Sequence, residues 1–112
     1  MTLLVNKLNE DFSFTSQVDI KDISEIAGLG FKSIVNNRPD FEGGGDQPQS
    51  AEIEAVAKTN GIAYVHIPVI PNQITPENIA AFKHAYDSAP KPILGFCKTG
   101  NRASTLCSSA LA

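Results

Sequence analysis

The sequence predicts an α/β domain with a central, mainly parallel sheet of four or five strands and helices on both faces. Three observations carry this. Short apolar, β-branched runs alternate with amphipathic stretches along the chain. The connections between them are short and punctuated by Gly and Pro. With 112 residues, 42% hydrophobic and 19% charged, the chain has enough material for one domain with a core and too little for two. Residues 1–112 are therefore read as a single domain.

Taken in order, "FSF" (12–14) reads as a short strand. In "DIKDISEIAGLG", Asp19 is the N-cap candidate; Ile20, Ile23, Ile26 and Ala27 share one helical face, which Gly28 or Gly30 stops. "FKSIVN" (31–36) alternates and carries β-branched residues, so it is a strand. Residues 37–49, "NRPDFEGGGDQPQ", hold two prolines and a triple glycine and form a loop. Ser50 is expected to cap "AEIEAVAKTN", with Glu52 and Glu54 in the first turn, where the helix dipole favours negative charge. "IAYVHIPV" (62–69) is a strand ended by Pro68 and Pro71, and His66 within it reads as a hydrogen-bonded core histidine. Thr75 caps "PENIAAFKHAYDSA", with Pro76 at the first helical position and Ile79, Phe82 and Tyr86 on one stripe. "PILGFC" (92–97) is the last strand, and a final helix is expected to begin near Ala103. The chain stops at Ala112 inside that helix, so a trimmed terminus is expected.

Several function classes are set aside at this level. A net charge of −3 gives no general attraction to nucleic acid or an anionic membrane. The opening "MTLLVNKLNEDF" has no basic leader or cleavage signal, and no window reaches a membrane span, so a cytoplasmic location is expected. Cys97 and Cys107 form neither a C-x-x-C pair nor a metal-ligand pattern, so no metal and no cofactor are expected.

In a parallel sheet, ligands bind beyond the carboxyl ends of the strands. That edge gathers Asn36, Asn37, Arg38 and Asp40, then His66 to Asn72, then Cys97 to Arg102. Cys97 ends an apolar strand and a helix starts a few residues later, which points loop and helix N–H groups at the thiol. With Lys98 and Arg102 beside it, this favours the thiolate, the nucleophilic form. Gly100 permits the left-handed backbone that a closing loop needs, Arg102 offers a planar fork to an oxyanion, and Ser104 could hydrogen-bond the sulfur or a leaving atom. Thr99, Asn101 and Ala103 complete the anion-binding loop. Cys107 falls on an apolar helical surface with Ala103, Leu106, Ala110 and Leu111 and reads as a packed thiol. Arg38 is a substrate-side candidate, and with Asp40 it could equally form an ion pair shaping the "NRPD" turn. The glycines at 43–45 read as a flexible loop, a candidate lid.

The segments "NNRPD" and "CKTGNR", within a stretch running from about Phe14, resemble the phosphatase-like domain of the bacterial beta-lactamase-hydrolase-like proteins. That resemblance implies a cysteine-phosphatase-like fold related to the dual-specificity phosphatases. It also implies sulfur chemistry, because in several members the domain is fused to, or encoded with, a persulfide dioxygenase. The loop departs from the phosphatase pattern C-x-x-G-x-x-R-[ST]: Cys97 and Arg102 are separated by four residues, not five, and "CKTGNR" resembles the rhodanese pattern C-[RK]-x-G-x-R. Dual-specificity phosphatases also place an aspartate after the strand matching "YVHIPV", and this chain reads "IPNQITPEN" there. Asp40 is then the remaining candidate acid.

The leading expectation is covalent catalysis by sulfur transfer. Cys97 takes an outer sulfur from thiosulfate or a persulfide and passes it to a thiol acceptor, with Arg102 and the loop N–H groups holding the anion and Lys98 steering it in. A persulfide dioxygenase is the expected partner. The first alternative is phosphate-ester hydrolysis through phosphocysteine on the same residue. The second is a non-enzymatic anion-binding or redox-sensing module.

Overall fold

A computed structural model describes residues 4–112; residues 1–3, where the opening apolar patch begins, lie outside the described residues. A five-stranded sheet in the order β1-β2-β5-β3-β4 forms the centre. Its strands are β1 (Asn6–Lys7), β2 (Phe12–Thr15), β3 (Ser33–Asn36), β4 (Ala63–His66) and β5 (Ile93–Phe96). β1 pairs antiparallel with β2, and every other pairing is parallel. The helices are α1 (Ile23–Gly28), α2 (Ser50–Thr59), α3 (Pro76–Ser88) and α4 (Asn101–Leu111).

Strand periodicity divides the apolar residues between two cores, because successive side chains point to opposite faces. Ile34, Leu94 and Phe96 pack on one face with Ile23, Ile26, Ile53 and Ala57 of α1 and α2. Val35, Ile93 and Phe12 pack on the other with Phe82 and Ala85 of α3 and Leu106 and Cys107 of α4. Continuing the alternation past the ends of β3 and β5 turns Asn37 and Cys97 toward the α3–α4 face. Both are fully buried.

The local signals hold with named differences. Asp19 caps as expected, accepting from Ile20 N at 2.8 Å, but it opens a 3-10 turn (Ile20–Asp22) before α1. Thr75 Oγ1 accepts from Asn78 N at 3.1 Å at the start of α3, and Pro76 is the first helical residue. Ser50 is the first residue of α2 and not its cap; Gln49 is the cap, and Glu52 Oε1 accepts from Gln49 N at 3.0 Å. β4 ends at His66, after which Ile67 N and Val69 N still bond to Asn36 O and Asn37 O at 2.8 and 3.0 Å. α4 begins at Asn101, two residues before the expected start, because Gly100 in the left-handed region (φ 95°) caps it.

Candidate active site

Cys97 follows the last residue of β5, and the loop turns into α4 through Gly100. The N–H of Gly100 donates to Cys97 Sγ at 3.1 Å. A side chain at Gly100 would meet Phe14 Cδ2 and the Thr15 carbonyl oxygen tightly, each at 3.2 Å, and the left-handed φ of 95° already favours glycine there. Asn101 N donates to Thr99 Oγ1 at 3.3 Å. The first N–H groups of α4 have no partner within the helix.

Arg102 is the second residue of α4. Its Nη1 donates to Glu42 Oε2 and to the Val69 carbonyl, each at 2.8 Å, and its Nη2 donates to Glu42 Oε1 at 2.8 Å. A guanidinium has five N–H groups. Glu42 and Val69 take both on Nη1 and one on Nη2, which leaves Nε–H and the second Nη2–H for the sulfur and an incoming anion. Hydrogen bonding to Glu42, the charge of Glu42 and contact with Cys97 raise the Arg102 pKa, against burial.

Glu42 is a site residue that the sequence reading did not name. It also accepts from Arg38 Nε at 2.8 Å, so one carboxylate joins both arginines. The hydrogen bond from Arg102, with that from Arg38 and both positive charges, holds its pKa down at about 2 despite desolvation. Arg38 Nη1 donates to Gln17 Oε1 at 2.9 Å. A side chain at Gly43 would lie 2.6 Å from Arg38 Nη2, so this glycine makes room for the guanidinium. The Arg38 backbone is held as well: its N–H donates to Asn36 Oδ1 at 2.8 Å, and its carbonyl meets His66 Nε2 at 2.9 Å. Asn37 ties the strand ends together, with N bonded to Phe96 O at 2.8 Å and Nδ2 to Ile67 O at 2.9 Å.

These groups border a cavity of about 400 Å³ lined by Arg38, Glu42, Gly43, Pro71, Asn72, Lys98, Thr99, Asn101 and Arg102. Lys98 is exposed at its mouth. Cys97 is buried beneath the loop and does not itself line the cavity.

Other expected site residues sit elsewhere. Asp40 does not line the cavity; its Oδ1 accepts from Ser50 N at 2.7 Å at the start of α2. Arg38 takes Glu42 as its ion-pair partner in place of Asp40, because the loop turns Glu42 inward while Asp40 serves the helix. Phe41 makes that turn with a left-handed φ of 65°. Ala103 is buried, and its methyl side chain offers an anion no hydrogen bond. Ser104 is half-buried in α4, and the donors beside Cys97 Sγ are the Gly100 N–H and the Arg102 guanidinium. Burial pushes the Cys107 thiol up to about 11, in keeping with a packed side chain. Among the described residues, no group of His, Cys, Asp and Glu is placed to hold a metal ion, and no helix is long and apolar enough to cross a membrane.

A parallel sheet in this order, with a cysteine at the end of its central strand and an arginine in the first turn of the next helix, defines a cysteine-phosphatase-like domain. The chain belongs to the family described as "Beta-lactamase hydrolase-like protein, phosphatase-like domain", which matches residues 5–112. The Beta-lactamase hydrolase-like protein of Agrobacterium fabrum is 38% identical over 100 residues, 89% of this chain and 23% of that protein. The chain thus spans about a quarter of that relative's length. The crystal structure of nma1982 from Neisseria meningitidis is similar, with a TM-score of 0.84 at 34% identity, covering 91% of this chain and 72% of that one. The Siw14 catalytic core shares the fold, with a TM-score of 0.70 at 19% identity over 96% of this chain and 65% of its own.

Proposed function

We propose that this domain hydrolyses phosphate esters through a covalent phosphocysteine on Cys97. The observation that carries the reading is the joint placement of the Cys97 sulfur under the Gly100 N–H and against Arg102, at the junction of β5 and α4. The Gly100 N–H and the Arg102 guanidinium are hydrogen-bond donors placed beside the sulfur. The same donors then suit the oxygens of a phosphoryl group as negative charge builds on them. Lys98 at the mouth draws the anion in. Membership of a phosphatase-like family supports a hydrolase of this kind.

Sulfur transfer is the second reading, favoured by the four-residue spacing between Cys97 and Arg102, which narrows the cradle. Cys97 would attack the outer sulfur of thiosulfate, forming an S–S bond while sulfite leaves with the electron pair, and a thiol would then accept the sulfur. A persulfide dioxygenase would be the fitting partner.

Intact-mass spectrometry after incubation with an aryl phosphate or with thiosulfate separates these readings. Gain of one phosphoryl group, absent in Cys97→Ser, is the expected result. Gain of one sulfur atom alone selects sulfur transfer. No adduct with either donor overturns both, and leaves the domain as an anion-binding or redox-sensing module.

A further inference from the structure

We infer that the site is built for leaving groups that depart as stable anions, and that Asn72 on the cavity wall can give such a group a hydrogen bond but no proton; this rests on the phosphocysteine reading above. The first ground is the chemistry of the cavity wall. Glu42 is the carboxylate among its lining residues, and three hydrogen bonds of 2.8 Å from Arg38 and Arg102 keep it ionised. A carboxyl held at about 2 has no proton to give near neutral pH. Asp40, the sequence-level candidate for the acid, is spent on the Ser50 N–H outside the cavity.

The second ground is the turn after β4. Gln73 N bonds to Ile70 O at 3.0 Å, with Pro71 and Asn72 as the central residues and Asn72 at φ 64°. Proline followed by asparagine in the left-handed region is the chemistry of a type II turn, so the loop holds Asn72 without strain. Asn72 lines the main cavity and also an adjoining one of about 360 Å³ with Ile74, Asn101, Arg102 and Thr105. Its carboxamide makes no hydrogen bond among the described residues. An amide can donate a hydrogen bond to a departing oxygen but cannot protonate it.

The first step is then balanced without a proton. The Cys97 thiolate forms the S–P bond, the bond from phosphorus to the leaving oxygen breaks, and the electron pair leaves with that oxygen as an anion. Water next cleaves the S–P bond, both its hydrogens remain on the phosphate product, and the thiolate returns. Substrates that meet this demand are phosphoanhydrides, acyl phosphates and esters of acidic phenols. Alkyl phosphates, which would have to release an alkoxide, do not.

The test is a single-turnover series measuring phosphocysteine formation from para-nitrophenyl, phenyl and ethyl phosphate. The rate should fall by about 100-fold or more from the nitrophenyl to the phenyl ester, the size of an absent general acid, and no phosphocysteine should form from the ethyl ester. Asn72→Asp, an exposed and nearly isosteric change that tolerates the left-handed backbone, should narrow the nitrophenyl–phenyl gap about tenfold by supplying an acid. Near-equal rates for the two aryl esters would overturn the inference. So would a basic limb in the pH profile that disappears in Lys98→Gln, since it would make Lys98 the donor. An unchanged gap in Asn72→Asp would overturn the placement of Asn72. Absence of phosphocysteine even from the nitrophenyl ester would instead count against the proposed function itself.

Discussion

The carboxylate shared by Arg38 and Arg102 makes a quantitative prediction for Glu42→Gln, which keeps shape and removes charge. The Glu42 pKa falls from 4.5 to about 2 in the folded chain. At about 1.4 kcal/mol per unit, the bound on its contribution is about 3 kcal/mol. The side chain is 19% exposed and its surroundings open on the cavity, so solvent screening reduces this to about 1–2 kcal/mol. The sign follows from the direction of the shift. A carboxylate with a depressed folded pKa stabilises fully above its unfolded value, and that stability is lost as pH falls toward the folded value. The stability gap between the native chain and Glu42→Gln should therefore be full above about pH 5 and should shrink steadily toward pH 2. Urea denaturation of both proteins between pH 3 and 7 measures it. A gap that stays constant across that range, or is absent at pH 7, would refute the view that Glu42 acts as an ionised clamp on two arginines.

Three further outcomes are expected. Gly95→Ala would place a Cβ 2.5 Å from Phe12 Cζ, and this overpacking should cost about 1–3 kcal/mol in thermal or urea unfolding; a neutral result would show that Phe12 can move aside. Arg102→Lys keeps the charge but loses the planar fork, so calorimetric affinity for vanadate should weaken by about 1–3 kcal/mol, and unchanged affinity would remove the fork from the site. Cys107, buried and pushed up to about 11, should resist iodoacetamide at pH 8 until the protein unfolds, as peptide mapping would show; rapid native alkylation would mean that α4 opens readily.

The fold was legible because its determinants are local. The caps at Asp19 and Thr75, the β-branched residues at 34 and 35 and the glycine at 100 each act within a few residues of themselves. β1 was not, since a two-residue edge strand has no periodicity to read and exists through its pairing with β2. Within the site, Cys97, Gly100 and Arg102 stood out because strand, loop and helix are consecutive there. Glu42 did not: a spacing of four residues from Arg38 means a facing pair on a helix, but in a loop rich in Pro and Gly it carries no direction. The same loop misled on Asp40, which has the shorter path to Arg38 in sequence and goes to the start of α2 in space.

The contact between β5 and α4 lets residues outside the loop influence the shape of the proposed anion cradle. Gly95 presents no side chain to α4, and a Cβ built there would sit 3.5 Å from the Ala103 methyl. That thinness lets the helix lie close against the strand it follows. These two small residues let strand and helix pack closely, and a side chain larger than alanine at either would press them apart. A bulkier pair would push the helix outward and demand a longer connection, and with it a wider ring of N–H groups. The choice between a compact and a roomy anion would then change without any substitution between Cys97 and Arg102. An attempt to re-size this cradle by inserting a residue into the loop would leave that spacer untouched, so the added length would bulge into the cavity. Enlarging it cleanly calls for altering loop and spacer together.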